Sequence, residues 1–321
     1  MKKDDFMYNR FIEILKERIP EKGKLANDLT DYLGIEKEAI YRRLRGDVPF
    51  SFSEITKLSL KYAISLDSIA EGSNPSTRPF NIQLSEFINP TEDNYAAIEN
   101  FTTNIRSLVN DPNSESGCIA TMVPISLCIT YKPIFKFYVY KWYIQFRNTG
   151  FKLSYSDIQV DPKLVALNEE FVLAVKGSPN SVYIFDELFV FYLIKDIKYL
   201  EDINLLTRDE IVLIKESLYL FLSDLERYAI NGKFDDGGKV SIYISNVHFE
   251  NNLNYIDSKH LKLTMIKTFT LNEIYSLDEK ICEGTKKWCL FLKRASTLIS
   301  QSGELKRIEF FEKQRKMIDD L

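Results

Sequence analysis

The chain has 321 residues, with 42 Lys and Arg against 46 Asp and Glu, two His and four Cys. A net charge of -4 excludes a uniformly basic polyanion binder but leaves room for a basic patch on one element. Low Gly and Pro content excludes collagen-like and low-complexity chains, and the longest apolar run, Leu188 to Ile194, falls far short of the about 20 residues that a membrane span needs.

In chain order, Phe11, Leu15 and Ile19 recur at helical spacing and predict a first helix closed by Pro20 and Gly23. Leu25, Leu29 and Leu33 predict a second that stops at Gly34. A third, over Lys37–Arg45, turns Ile40 and Leu44 inward and ends at Gly46. The fourth has a capping box in Ser51 and Glu54, a hydrophobic staple in Phe50 and Ile55, and a buried stripe of Ile55, Leu58 and Tyr62. A fifth follows Ser65 with Leu66 and Ile69 inward. The run from Gly72 to Pro79 has linker composition, so the expected organisation is a helical domain over 1–72, a linker over 73–79 and a larger domain over 80–321.

Beyond the linker, helical and alternating patterns interleave. A helix is expected over about 91–110 and a strand from Ile119 to Leu127. Tyr131 to Phe146 is dense in aromatics, with Phe135, Tyr138, Trp142 and Phe146 on one helical face. Such a stripe fits a core, and it also fits the wall of an apolar effector pocket or a dimer face. Thr207 and Glu210 form a second capping box, opening a long helix with the stripe Ile211, Ile214, Leu218, Leu222 and Leu225. Val240, Ile242 and Ile244, then Leu261, Leu263 and Met265, alternate as half-buried strands, so 239–270 reads as a meander or hairpin. Helices over about 277–294 and 303–320 complete the chain, the last with Leu305, Ile308, Phe311 and Ile318 inward. The larger domain is expected to be α+β, dominated by helices, with a small and mainly antiparallel sheet.

Residues fit for chemistry are few. Cys118, Cys128, Cys282 and Cys289 lack C-x-x-C spacing and read as buried thiols. His248 and His260, with Glu250 and Asp257 nearby, have no metal-ligand pattern, so no metal is expected; no cofactor and no catalytic group are expected either. No apolar stretch follows the N-terminal lysines, and a cytoplasmic chain with no membrane partner is expected.

The segment from Asp28 to Gly46 carries the functional signal: a short helix, a turn at Gly34 and a second helix whose outward positions are Lys37, Glu38, Tyr41, Arg42 and Arg45. With Lys37, Arg42, Arg43 and Arg45 against Glu38 alone, this helix is locally basic and suits the major groove of B-DNA. Here the sequence resembles the Cro/phage-repressor type of helix-turn-helix, the xenobiotic-response-element-like regulators, over residues 6–70. The phrasing from Tyr41 to Phe50, then Ser65-Leu66-Asp67, is similar to large bacterial regulators with a long uncharacterised C-terminal half. The resemblance implies a five-helix all-α domain in which Lys37 and Glu38 contact bases, Tyr41 and Arg42 join them one turn on, and Arg45 reaches a phosphate. It implies a sequence-specific transcription regulator, not an enzyme, binding double-stranded DNA as a homodimer, with the larger half dimerising or sensing a small-molecule or protein effector. The sequence departs from the family at two positions: Thr30 stands where Ala is usual, and Glu36 takes the usual Ser/Thr cap position. Glu38 either accepts from cytosine N4 or pairs with Arg42 at i+4. The rival expectation is an interaction adaptor that uses the helical bundle as a docking module.

Overall fold

The computed structural model describes residues 6–19, 21–62, 64, 66, 69, 81–83, 86–146, 153–250, 252–259, 261–268 and 270–321. The chain divides into two compact units, Met1–Pro79 and Phe80–Leu321; the 73–79 linker lies outside the described residues. The first unit contains α1 (Phe6–Arg18), α2 (Lys22–Leu33), α3 (Lys37–Arg45) and α4 (Phe52–Tyr62). Each stops where its sequence stops supporting it. Gly34 and Gly46 close α2 and α3 at φ 67° and 81°, backbone conformations that a side chain would strain. Ser51 and Glu54 open α4 as a reciprocal cap, the Glu54 amide donating to Ser51 Oγ and the Ser51 amide to Glu54 Oε2. Leu15, Leu25, Ala26, Leu29, Ile40 and Leu58 are at most 1% exposed, so the four helices share one core. The fifth helix expected after Ser65 falls largely outside the described residues; of its two inward positions, Ile69 is buried and Leu66 packs on the same core.

The second unit is α+β. Its helices are α5 (Glu92–Ser107), α6 (Ile125–Cys128), α7 (Lys132–Phe146), α8 (Pro162–Lys176), α9 (Phe191–Asp202), α10 (Arg208–Asn231), α11 (Glu279–Arg294) and α12 (Glu304–Asp319). Its strands are β1 (Asn81–Gln83), β2 (Glu115–Ala120), β3 (Asn180–Phe185), β4 (Lys239–Ser245), β5 (Leu253–Asp257), β6 (Lys262–Lys267), β7 (Glu273–Ser276) and β8 (Ser296–Leu298). They form one eight-stranded sheet in the order β1-β7-β6-β5-β2-β3-β4-β8. The expectation of a small sheet is therefore corrected. β2, β3 and β4 are parallel neighbours joined through helices, and antiparallel pairs extend the sheet on both sides. The expected 239–270 meander is corrected too. β4 pairs with β3 and β8, and the meander begins at β5, which lies beside β2.

The missed strands share a physical cause. β3 is buried at five of its six positions, because helices cover both faces of the sheet. A strand buried on both faces loses the alternation by which a half-buried strand is recognised. Cys118, Tyr183 and Ile242 face α7 and α10, while Ile119, Val182 and Ile184 face Cys289 and Leu292 of α11. The strand expected from Ile119 to Leu127 ends at Ala120, and Pro124 precedes α6. In α12, Phe311 and Ile318 are buried but Leu305 and Ile308 point outward, 80% and 42% exposed. Their expected place is taken by Phe310 and by Gln314, which is fully buried and bonded through its amide to Val190 N at 3.2 Å and Glu187 O at 3.0 Å. A polar residue with both bonds satisfied costs little inside a core, which a hydrophobic stripe cannot reveal.

Candidate functional site

α2 and α3 meet through Gly34, Ile35 and Glu36, with Leu29 and Ile40 buried between them. This packing leaves one long edge of α3 outside. Lys37, Glu38, Arg42 and Arg45 are exposed there, and Tyr41 is half-buried with its ring against the core.

The charges of α3 fall into two classes. Arg43, three residues from Ile40, turns to the edge of the core and makes a two-pronged pair with Glu54 of α4, Nε to Oε2 at 3.3 Å and Nη2 to Oε1 at 3.2 Å. Its carbonyl accepts from Tyr8 Oη of α1 at 3.3 Å, and that hydroxyl accepts from the Phe50 amide at 3.1 Å. Arg43 therefore holds α3 to its neighbours. Arg45 binds Asp47 at 2.9 Å and lies 3.7 Å from Glu38. Glu38 is thus paired with Arg45, correcting the alternative of an i+4 pair with Arg42. Among the described residues, Lys37 and Arg42 have no ion-pair partner, and they are the two cations of α3 left to meet something else.

Glu36 and Thr30, which depart from the helix-turn-helix pattern that the sequence resembles, have visible consequences. Glu36 precedes α3 with no side-chain cap bond, so the first amide groups of the helix lack that partner. Thr30 Oγ1, on α2, is buried with no hydrogen-bond partner among the described residues.

In the second unit, Phe135, Tyr138 and Trp142 are 2%, 1% and 4% exposed. They belong to the core, so this stripe does not line an open pocket by itself; the Phe146 side chain lies outside the described residues. Tyr138 Oη donates to Val123 O at 2.9 Å, and Trp142 packs edge-on to Phe87 at 5.4 Å. The four cysteines are buried free thiols, and burial pushes Cys118 and Cys128 up to about 12, far from a reactive thiolate.

His248 sits at the carboxyl ends of the parallel strands, its Nδ1 3.4 Å from Asp186 Oδ2. With Thr121, Met122, Tyr192, Glu250 and Asn252 it lines an open depression of about 350 Å³. Asp257 is held by Lys262 and Lys286 on another part of the sheet, and His260 lies outside the described residues. Beyond the spacing from Ile40, no local pattern points to the Arg43–Glu54 clamp, and none points to the His248–Asp186 contact, which joins residues far apart in the chain. No protein-family model, no curated protein and no solved structure matches the chain.

Proposed function

We propose that the chain is a sequence-specific DNA-binding transcription regulator whose first unit is a five-helix helix-turn-helix domain reading the major groove with α3. The carrying observation is the uncommitted pair Lys37 and Arg42 on the exposed edge of a helix whose other cations are internally occupied. A rigidly held helix with two free cations suits the geometry of groove readout. Lys37, at the start of α3, and Arg42, one turn on, contact base edges, and half-buried Tyr41 borders them. Arg45 reaches a phosphate after exchanging Asp47 for it. Glu38 acts chiefly by holding Arg45. One helix reads only a few base pairs, so the active species is a homodimer on two half-sites about 34 Å apart. The larger unit supplies dimerisation or effector sensing, in a cytoplasmic protein without catalytic activity.

The adaptor reading draws on one observation: Phe52 and Leu60 of α4 are 80% and 79% exposed. It predicts partner binding that is insensitive to salt. Selection of bound duplexes from random DNA separates the two readings. The regulator yields a motif in paired half-sites and an affinity that falls steeply with salt. On that motif Lys37→Ala and Arg42→Ala each cost about 1–3 kcal/mol and relax base preference, while Arg45→Ala weakens all duplexes alike. An unchanged gel shift in a Lys37/Arg42 double alanine variant would refute the assignment.

A further inference from the structure

α10 runs for 24 residues, about 36 Å at 1.5 Å per residue. Its inner face is spent on the core, where Ile211, Ile214, Leu218, Phe221, Leu222 and Leu225 are buried. Both flanks are fastened. On one, Tyr131 Oη donates to Asp224 at 2.5 Å. On the other, Arg315 of α12 bonds Glu226, and Lys215 reaches the Asp319 carbonyl at 3.0 Å. What remains is an outer stripe of Leu213, Glu216, Leu220, Ser223, Arg227 and Ile230, all exposed. The six lie within about 100° of the helix circumference. They alternate by three and four residues, the spacing of a seam between two helices. Leu213, Leu220 and Ile230 are 54%, 64% and 54% exposed. On α11 and α12 the exposed apolar residues are instead local pairs, Leu290 with Phe291 and Leu305 with Ile308. Small local groups need no partner, whereas a seam that runs the length of a helix points to one.

The order of residues along the stripe identifies that partner. Leu213 and Ile230 stand equally far from the midpoint between Phe221 and Leu222, as do Glu216 and Arg227, and Leu220 and Ser223. A second α10 laid antiparallel across the stripe, about a two-fold axis at that midpoint, meets it position for position. Leu213 then packs on the partner's Ile230, Glu216 faces the partner's Arg227, and Leu220 packs on the partner's Ser223. Symmetry makes each contact twice, as a self-complementary interface requires. Charge selects the direction. A parallel pair would set glutamate against glutamate and arginine against arginine, while the antiparallel pair sets opposite charges together at both ends. Glu216 has no ion-pair partner among the described residues. Arg227 bonds Asp224 and Asp235 through three contacts, and its guanidinium has further N–H groups to donate.

We propose that α10 is the dimerisation surface of the chain, its outer stripe packed antiparallel on the same stripe of a second copy about a two-fold axis level with Phe221 and Leu222. The interface gives a location to the dimerisation proposed above for the larger unit, and rests on that reading for its role on DNA.

The test is the mass of the full chain by sedimentation over a concentration series, followed by cysteine trapping. The parent should form a reversible dimer. Leu220→Arg, at an exposed position beside the axis, should remain folded by circular dichroism and raise the dimer Kd at least about 100-fold, because symmetry places the new charge in the seam twice. Glu216→Arg sets like charges together at both ends and should raise the Kd at least about tenfold. The native thiols are buried, so engineered cysteines can report the register. A mixture of Leu213→Cys and Ile230→Cys proteins should cross-link under mild oxidation. Neither should do so alone, since the two copies of one position lie about 25 Å apart along the seam. The proposal is overturned by a parent that stays monomeric, whatever covers its stripe, or by a dimer as tight in either charge variant. It is equally overturned by a mixture that fails to cross-link, or by one cysteine variant that cross-links alone. Retention on the selected duplex, read on the same proteins, reports the regulator separately. An α10 dimer that retains no duplex keeps the interface and removes the regulator, and a monomeric parent that binds duplex does the reverse.

Discussion

Helices α3 and α7 do opposite things with their side chains. α3 buries Ile40 and Leu44, half-buries Ala39, Tyr41 and Arg43, and exposes the charged side chains of Lys37, Glu38, Arg42 and Arg45. α7 buries Ile134, Phe135, Phe137, Tyr138, Val139, Tyr140 and Trp142, positions that run round the whole helix. A helix buried on one side keeps a free side for a large partner, the role proposed for α3. A helix buried all round keeps no free side, and the side chains of α7 act through the core they fill. Both helices carry lysine or arginine beside aromatic rings, so composition alone does not separate them; the pattern of burial does.

The contrast breaks first at Trp142. Trp142→Ala removes a buried ring from the α7 core and should destabilise the second unit by about 3–5 kcal/mol, measured by denaturant unfolding. Arg42→Ala on the open edge of α3 should stay within about 0.5 kcal/mol of the parent. Comparable losses for the two variants would mean that α3 is packed and that its free edge has been misassigned.

The next effect divides α3 itself. Arg43→Ala leaves Glu54 half-buried without its cation and loosens the hold on α4, an expected cost of about 1–3 kcal/mol. Arg42 is its sequence neighbour and carries the same charge, but has no partner to lose. With two units in the chain, hydrogen exchange of the α1–α4 amides is the suitable readout, because a single transition would mix the units. Equal protection in the two variants would place the clamp and the free cation in one class.

Much of the first unit was legible because its determinants are local. Gly34, Gly46 and the Ser51–Glu54 box act within a few residues of the ends they define, and the stripes of α2 and α3 follow from one buried face. The outward positions of α3 followed from the same periodicity. What the occupied cations bind did not, since Tyr8, Arg43 and Glu54 come together only through packing. In the second unit the long α10 declared itself by its capping box and stripe. β3 did not, because a strand buried on both faces carries no polar rhythm, and in α8 and α9 exposed apolar residues such as Leu173, Phe191, Tyr192 and Tyr199 blur the single buried stripe. Lys267 and Glu273 illustrate the limit most sharply. In the sequence they flank a turn like any surface charges, and only the register sets them directly opposite each other on β6 and β7.

A smaller effect, set by pH, again concerns the first unit. Asp28 of α2 accepts from Tyr62 and Lys61 of α4. Burial acts to raise the Asp28 and Glu54 carboxyls, but these bonds, and those from Ser51 and Arg43 to Glu54, outweigh it and hold both below their usual values. A carboxylate with a depressed folded pKa stabilises the fold above its unfolded value of about 4, and loses that contribution as pH falls through the folded one. Protection of the α2 and α4 amides should therefore fall as the solution is acidified below about pH 4. The double variant Asp28→Asn, Glu54→Gln should be less protected at neutral pH and show a flatter acid response. An identical acid response in parent and variant would detach these carboxylates from the stability of the unit.

The smallest effect has the opposite sign. Thr30 belongs to α2, the helix that packs on the one proposed to read DNA, and its buried Oγ1 has no partner among the described residues. A buried hydroxyl without a hydrogen bond costs free energy, and Thr is also a poorer helix former than Ala. Thr30→Ala removes both penalties, so a gain of about 0.5–1 kcal/mol in the first unit is expected. If Thr30 only fills space, duplex affinity should be unchanged, because none of Lys37, Arg42 and Arg45 depends on it for a bond. A loss of affinity in a more stable Thr30→Ala protein would instead show that this hydroxyl sets the angle between α2 and α3. The orphaned donor would then be a tuning element of the recognition edge, and the division of α3 into an inner face for stability and an outer face for contact would no longer hold at that point.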